Sequence, residues 1–140
     1  MPQCAQAVAV LDRGRQSAKL FRVSERKQIG VISLGVMGQR MLARLAEHAR
    51  MRAVVAWDPN PAAVAEVRKR FPELRIAATA ADVIATPALA CVYIASPPSS
   101  HLAYAHQGFD AGLAVFSEKP LTVDFAEGRK AIARIEAERQ

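Results

Sequence analysis

The chain has 140 residues, 51% of them hydrophobic, enough for one domain with a packed core. No stretch approaches the roughly 20 apolar residues of a membrane-spanning helix, and two cysteines, Cys4 and Cys91, form neither a disulfide framework nor a metal site. The net charge of +6 is uneven: residues 1–28 hold six Lys/Arg against two acids, the remainder thirteen against eleven, and no aromatic-studded basic stripe marks a nucleic-acid surface.

Residues 1–28 read as a basic, poorly ordered N-terminal extension carrying Arg13, Arg15, Lys19, Arg22, Arg26 and Lys27. Their apolar stretch, Ala7 to Leu11, lacks the preceding positive charge of a secretory signal; an organelle transit peptide and residues upstream of the natural start are the alternatives. Cys91 opens an apolar strand as a buried core residue, and this cysteine usage fits a reducing cytoplasm.

From residue 29 the pattern alternates strand and helix. Ile29–Ser33 is a short apolar strand suited to the middle of a parallel sheet. Met37, Met41, Leu42 and Leu45 recur at helical spacing, so a first helix spans roughly 37–48. Ala53–Trp57 is the second strand. Pro61 suits a first helical position, with Asn60 as its N-cap. Val64, Val67 and Phe71 line one face of that helix, and Pro72 stops it. Arg75–Ala78 is a short third strand, and Ala80–Ala85 a short helix with Ile84 inward. Ala90–Ala95 is the fourth strand, ended by Ser96-Pro97-Pro98-Ser99. Ser99 or Ser100 is the expected cap of a fourth helix running to about Asp110. Leu113–Phe116 is the fifth strand. Asp124-x-x-Glu127 reads as a capping box for a last helix with Phe125, Ile132 and Ile135 inward. Such alternation predicts an α/β fold, a Rossmann-type doubly wound parallel sheet of order 3-2-1-4-5 over residues 29–140.

Ile29-Gly30-Val31-Ile32-Ser33-Leu34-Gly35-Val36-Met37-Gly38 joins strand to helix, and Asp58 ends the next strand twenty residues later. This is how a chain holds a dinucleotide. Glycines admit backbone N–H groups to a pyrophosphate, the helix N-terminus adds partial positive charge, and the acid accepts from a ribose diol. The pattern is incomplete. Ser33 stands where the first glycine of G-x-G-x-x-G belongs, and either strains the turn or lends its hydroxyl to the phosphates. Ser33, Leu34, Gly35, Val36, Met37, Gly38 and Asp58 are therefore candidate cofactor contacts. Ser96–His101 and Ser117–Pro120 lie at further strand ends, where ligands of open α/β sheets bind.

Ile29–Gly38, Val54–Pro61, Ala90–His101 and Ser117-Glu118-Lys119-Pro120-Leu121, in that order, resemble the N-terminal domain of the Gfo/Idh/MocA family of oxidoreductases across roughly residues 28–140. The resemblance implies an NAD(P)-dependent enzyme that moves a hydride between nicotinamide and a sugar, polyol or related alcohol. It implies that Lys119 sits near nicotinamide and substrate, as the catalytic residue, where an ammonium stabilises alkoxide or joins a proton relay. Glu118 then holds cofactor or Lys119, and Pro120 fixes the turn, through a cis bond if one forms. Ser96, Pro97 and Pro98 join the cofactor contacts. His101 is either a cofactor contact or a capping and packing residue; His48 and His106 are assigned nothing. Asp58 precedes Pro59-Asn60-Pro61 with no nearby arginine for a 2′-phosphate, which favours NAD over NADP.

Family members carry a second domain with an aspartate and an acid–base histidine, so the expected partners are a small-molecule substrate and a C-terminal domain or second chain. Nucleic acid and membrane are not expected; a homo-oligomer is left open. A stand-alone NAD-binding sensor or partner module without turnover is the alternative, and a truncated remnant of little affinity a third reading.

Overall fold

A computed structural model describes residues 26–138. The basic extension expected over 1–28 lies outside them apart from its last three residues, of which Lys27 and Gln28 open the first strand. The elements run β1 (Lys27–Ile32), α1 (Val36–Glu47), β2 (Met51–Trp57), α2 (Pro61–Arg70), β3 (Arg75–Ile76), α3 (Ala80–Ile84), β4 (Leu89–Ile94), α4 (Pro98–Asp110), β5 (Ala114–Ser117) and α5 (Phe125–Glu138). All pairings are parallel and the sheet order is β3-β2-β1-β4-β5. This is the doubly wound sheet the alternation predicts. No helix among the described residues is long and apolar enough to cross a membrane.

Strand alternation sends side chains to two cores. Ile29, Val31, Ala56 and Tyr93 pack with Leu42 and Leu45 of α1 and Val67 of α2. Ile32, Val55, Val92 and Ile94 pack on the other face with Val83 and Ile84 of α3 and Ala105 of α4. Gly108 lets α4 lie on the sheet: a Cβ there would meet Val115 Cγ2 at 2.7 Å and Val92 Cγ1 at 3.2 Å. As expected, the Asn60 side chain caps α2, accepting from the Ala62 N–H at 2.9 Å. Thr79 and Asp82 form a full capping box on α3 that pattern reading missed.

Three local expectations are corrected. Neither Ser99 nor Ser100 caps α4, because the helix starts earlier, at Pro98, with Pro97 at the cap position. Ser100 Oγ instead donates to Pro97 O at 2.9 Å and meets Ser96 Oγ at 2.8 Å. The capping box on α5 is half made. Asp124 Oδ1 accepts from the Ala126 and Glu127 N–H groups, while Glu127 pairs with Lys130 at 2.7 Å and the Asp124 N–H goes to Thr122 Oγ1. The inward face of α5 is set by small residues: Gly128 and Ala131 are buried, Ile135 is half-buried, and Phe125 and Ile132 are exposed. A Cβ on Gly128 would come within 3.0 Å of Thr122 Cγ2. Arg134 ties α5 to α4 through Asp110 Oδ1 at 2.6 Å and His106 Nδ1 at 3.0 Å.

Candidate functional site

The segments singled out by sequence meet along the carboxyl edge of the sheet, because ladder hydrogen bonds continue past the strand ends. The Ser33 N–H donates to Trp57 O at 2.8 Å, the Ala95 N–H to Ile32 O at 2.9 Å and the Glu118 N–H to Ile94 O at 2.9 Å. These bonds set Ser33 beside Asp58 and Ala95 beside both the Ser33 turn and Glu118. The β1–β4 boundary, where strand order reverses, lies in the middle of this edge.

Asp58 is fastened to the glycine turn. Its Oδ2 accepts from the Leu34 N–H at 2.6 Å and from the Ser33 hydroxyl at 3.2 Å, and its Oδ1 from the Asn60 N–H at 2.7 Å. Ser33 has φ +79°, the left-handed region in which a side chain costs about 1–2 kcal/mol. The first of the two alternatives for Ser33, strain, is therefore present. Its hydroxyl points to Asp58, which is a partner the sequence reading did not consider. The Leu34 side chain is fully buried in the core and its amide is taken by Asp58, so Leu34 positions the acid and leaves no free donor for phosphate.

Gly38 and Gly35 do different work. A Cβ at Gly38 would lie 2.0 Å from Ser33 O, so only glycine lets α1 dock on the turn. A Cβ at Gly35 would meet only Ser33 Oγ, at 3.9 Å. Helix α1 has Gly35 at its N-cap, and no side chain caps it. Val36 and Met37 at its start are exposed. An open glycine beside an uncapped helix start fits the diphosphate of a dinucleotide, and an acid one strand away fits its ribose.

On the other side of the β1–β4 boundary, His101 is 1% exposed, with Nε2 2.6 Å from Ser96 O and Nδ1 2.9 Å from Pro120 O. It has no ring nitrogen left for a cofactor; the packing alternative is the one the structure has. His101 ties the β4–α4 turn to the Lys119-Pro120 turn, whose peptide bond is cis. Glu118 accepts from the Tyr93 hydroxyl at 2.5 Å, and no ion pair joins it to Lys119 among the described residues. Burial pushes the Tyr93 hydroxyl well above its ordinary value, and the Glu118 carboxylate adds to the effect. Tyr93 was missed as a site residue, although a lone phenol within the apolar run Cys91–Ile94 needs a buried partner and so signals one. Lys119 is exposed, at the free end of this turn. Ser96, Pro97 and Pro98 border the same edge. Among the described residues no group of three or more His, Cys, Asp or Glu could hold a metal ion.

Known proteins share this fold. The Gfo/Idh/MocA family, an oxidoreductase family with an NAD-binding Rossmann fold, matches residues 27–140. An inositol 2-dehydrogenase of Burkholderia multivorans is 39% identical over 99 residues, 69% of this chain and 29% of that protein. Among solved structures, GenD2 from gentamicin A biosynthesis, in complex with NAD, superposes with a TM-score of 0.71 at 25% identity, covering 89% of this chain and 34% of that one. Biliverdin reductase from Synechocystis, in complex with biliverdin and NADP+, superposes with a TM-score of 0.75 at 25% identity, covering 81% and 35%. The chain thus spans about a third of the length of these relatives.

Proposed function

We propose, from the premise that this chain belongs to the Gfo/Idh/MocA oxidoreductase family, that residues 29–140 are the NAD-holding domain of a dehydrogenase acting on a sugar, polyol or related alcohol. The observation that carries the reading is the Asp58 carboxylate, tethered by two backbone N–H groups at the strand end beside an uncapped helix start. A carboxylate so placed accepts from ribose hydroxyls and repels a 2′-phosphate, which supports NAD over NADP.

The other residues divide by position. The backbone of Gly35, Val36 and Met37 supplies N–H groups and helix-end field for the diphosphate. Ser96, Pro97 and Pro98 border the path toward the nicotinamide end. Glu118, fixed by Tyr93, holds the turn from which Lys119 reaches the reacting carbon, where its ammonium stabilises alkoxide. Bound nicotinamide supplies the hydride chemistry itself. Acid–base groups and substrate selection belong to the part of the relatives that this chain does not span.

Titration of the purified chain with NADH, read by energy transfer from Trp57, tests the reading. Trp57 is the single tryptophan and immediately precedes Asp58. Saturable binding, weaker for NADPH, is the expected result. Asp58→Ala is expected to weaken NADH binding by at least about 1 kcal/mol, roughly fivefold. An unchanged affinity in that variant removes Asp58 from the site.

A further inference from the structure

Asp58 is short of acceptor positions for the ligand it is placed to hold. A carboxylate offers about four lone-pair positions. Three are in use, two on Oδ2 by Leu34 N–H and Ser33 O–H and one on Oδ1 by Asn60 N–H. One remains, whereas a ribose diol brings two hydroxyls. The three donors are not equivalent. The Leu34 and Asn60 bonds, at 2.6 and 2.7 Å, come from backbone that the sheet and the α2 cap hold in place. The Ser33 bond is the longest at 3.2 Å, and a hydroxyl can turn about χ1.

Resting on the NAD reading above, we infer that Ser33 is a specificity-determining residue whose hydroxyl occupies a ribose position on Asp58 and must turn away when an adenosine ribose with both hydroxyls binds. Glycine at this position has no such hydroxyl and adopts φ +79° without strain. Serine therefore weakens binding of the intact diol while holding the acid in its ribose-facing orientation. A ribose with one hydroxyl uses the remaining acceptor position and displaces nothing. The discrimination lies between diol and single hydroxyl and is distinct from the charge repulsion by which Asp58 opposes a 2′-phosphate.

The full chain, with Ser33→Ala and Ser33→Gly, is titrated with NADH and with an NADH analogue lacking the 2′-hydroxyl of the adenosine ribose. Both variants are expected to bind NADH about three- to tenfold more tightly than the wild type, the scale of one displaced hydrogen bond. Affinity for the 2′-deoxy analogue is expected to change less than about twofold. Ser33→Ala keeps a Cβ at positive φ and Ser33→Gly does not, so equal tightening in the two assigns the effect to the hydroxyl rather than to backbone strain. Wild-type binding of NADH with unchanged or weaker binding by Ser33→Ala overturns this inference alone, as does equal tightening toward the 2′-deoxy analogue. Absence of NADH binding by the wild type overturns the NAD reading and this inference with it.

Discussion

At the scale of single residues, the polar side chains of the edge act on the chain's own backbone turns and on each other. Asp58 is held by the turn it adjoins, His101 spans two carbonyl oxygens, and Tyr93 delivers its only proton to Glu118. The Tyr93–Glu118 bond makes a pH prediction. The Tyr93 hydroxyl has an ordinary value of 10.0, and burial raises it in the folded chain. A group raised on folding contributes stability that is complete below its unfolded value and is lost as pH rises through the folded one. Tyr93→Phe is therefore expected to cost about 1–2 kcal/mol near pH 8. The gap between wild type and variant should narrow above about pH 10, as urea unfolding at a series of pH values would record. A constant gap across that range would mean that the bond does not protect the phenol's proton. The residue types of the site were legible in the sequence: Asp58, Ser33, Glu118 and Lys119 all stand along the predicted edge. Their pairings were not, because a partner 25 residues away in sequence, as Tyr93 is from Glu118, is set by sheet register and leaves no local spacing to read.

At the scale of elements, glycine-turn-helix packing separates folding from binding. Helix α1 approaches the sheet so closely at Gly38 that a single added methyl would collide with the Ser33 carbonyl, a backbone atom that cannot yield. Gly38→Ala is expected to lose about 3 kcal/mol of stability in urea unfolding. Gly35→Ala meets no such obstacle, so its stability should change by less than about 1 kcal/mol while NADH binding weakens. If Gly35→Ala unfolded the chain as Gly38→Ala does, the two glycines would share one packing role and the division drawn at the site would fail. Strand and helix order followed directly from periodicity, since each strand is a short apolar run and each helix has its own punctuation, such as Asn60-Pro61 and Ser96-Pro97-Pro98. The inward face of α5 did not follow. Counting large apolar residues selects Phe125 and Ile132, yet the helix seats through Gly128 and Ala131, where small size permits contact. Capping was read correctly at α2, where a residue with a capping side chain, Asn60, directly precedes the proline of the first turn. It was misread at α4, where Pro98 also opens the helix but Pro97 before it offers no capping side chain, and the serines two and three residues past the cap position resembled caps.

At the scale of the whole molecule, the two cores are well covered on both sides of β1, β2 and β4, and apolar exposure gathers instead along residues 116–132. Phe116 lies on the edge strand β5, followed by Leu121, Val123, Phe125 and Ile132, all exposed, with Phe125 at 85%. A monomer seldom presents so many large apolar side chains in one stretch, and an edge strand beside them offers unpaired backbone groups. The expected consequence is association driven by apolar burial. Sedimentation velocity over a concentration series is expected to show the chain assembling as concentration rises. Phe125→Lys should raise the onset by about an order of magnitude, since a charge would have to be desolvated in any contact there. The substitution should leave stability within about 0.5 kcal/mol, because a side chain so exposed contributes little to the core. Unchanged association in Phe125→Lys would place the sticky surface elsewhere, with the exposed Val36 and Met37 at the start of α1 as the next apolar side chains to test. Association that persists in Val36→Lys and disappears in Phe125→Lys belongs to the α5 side of the molecule.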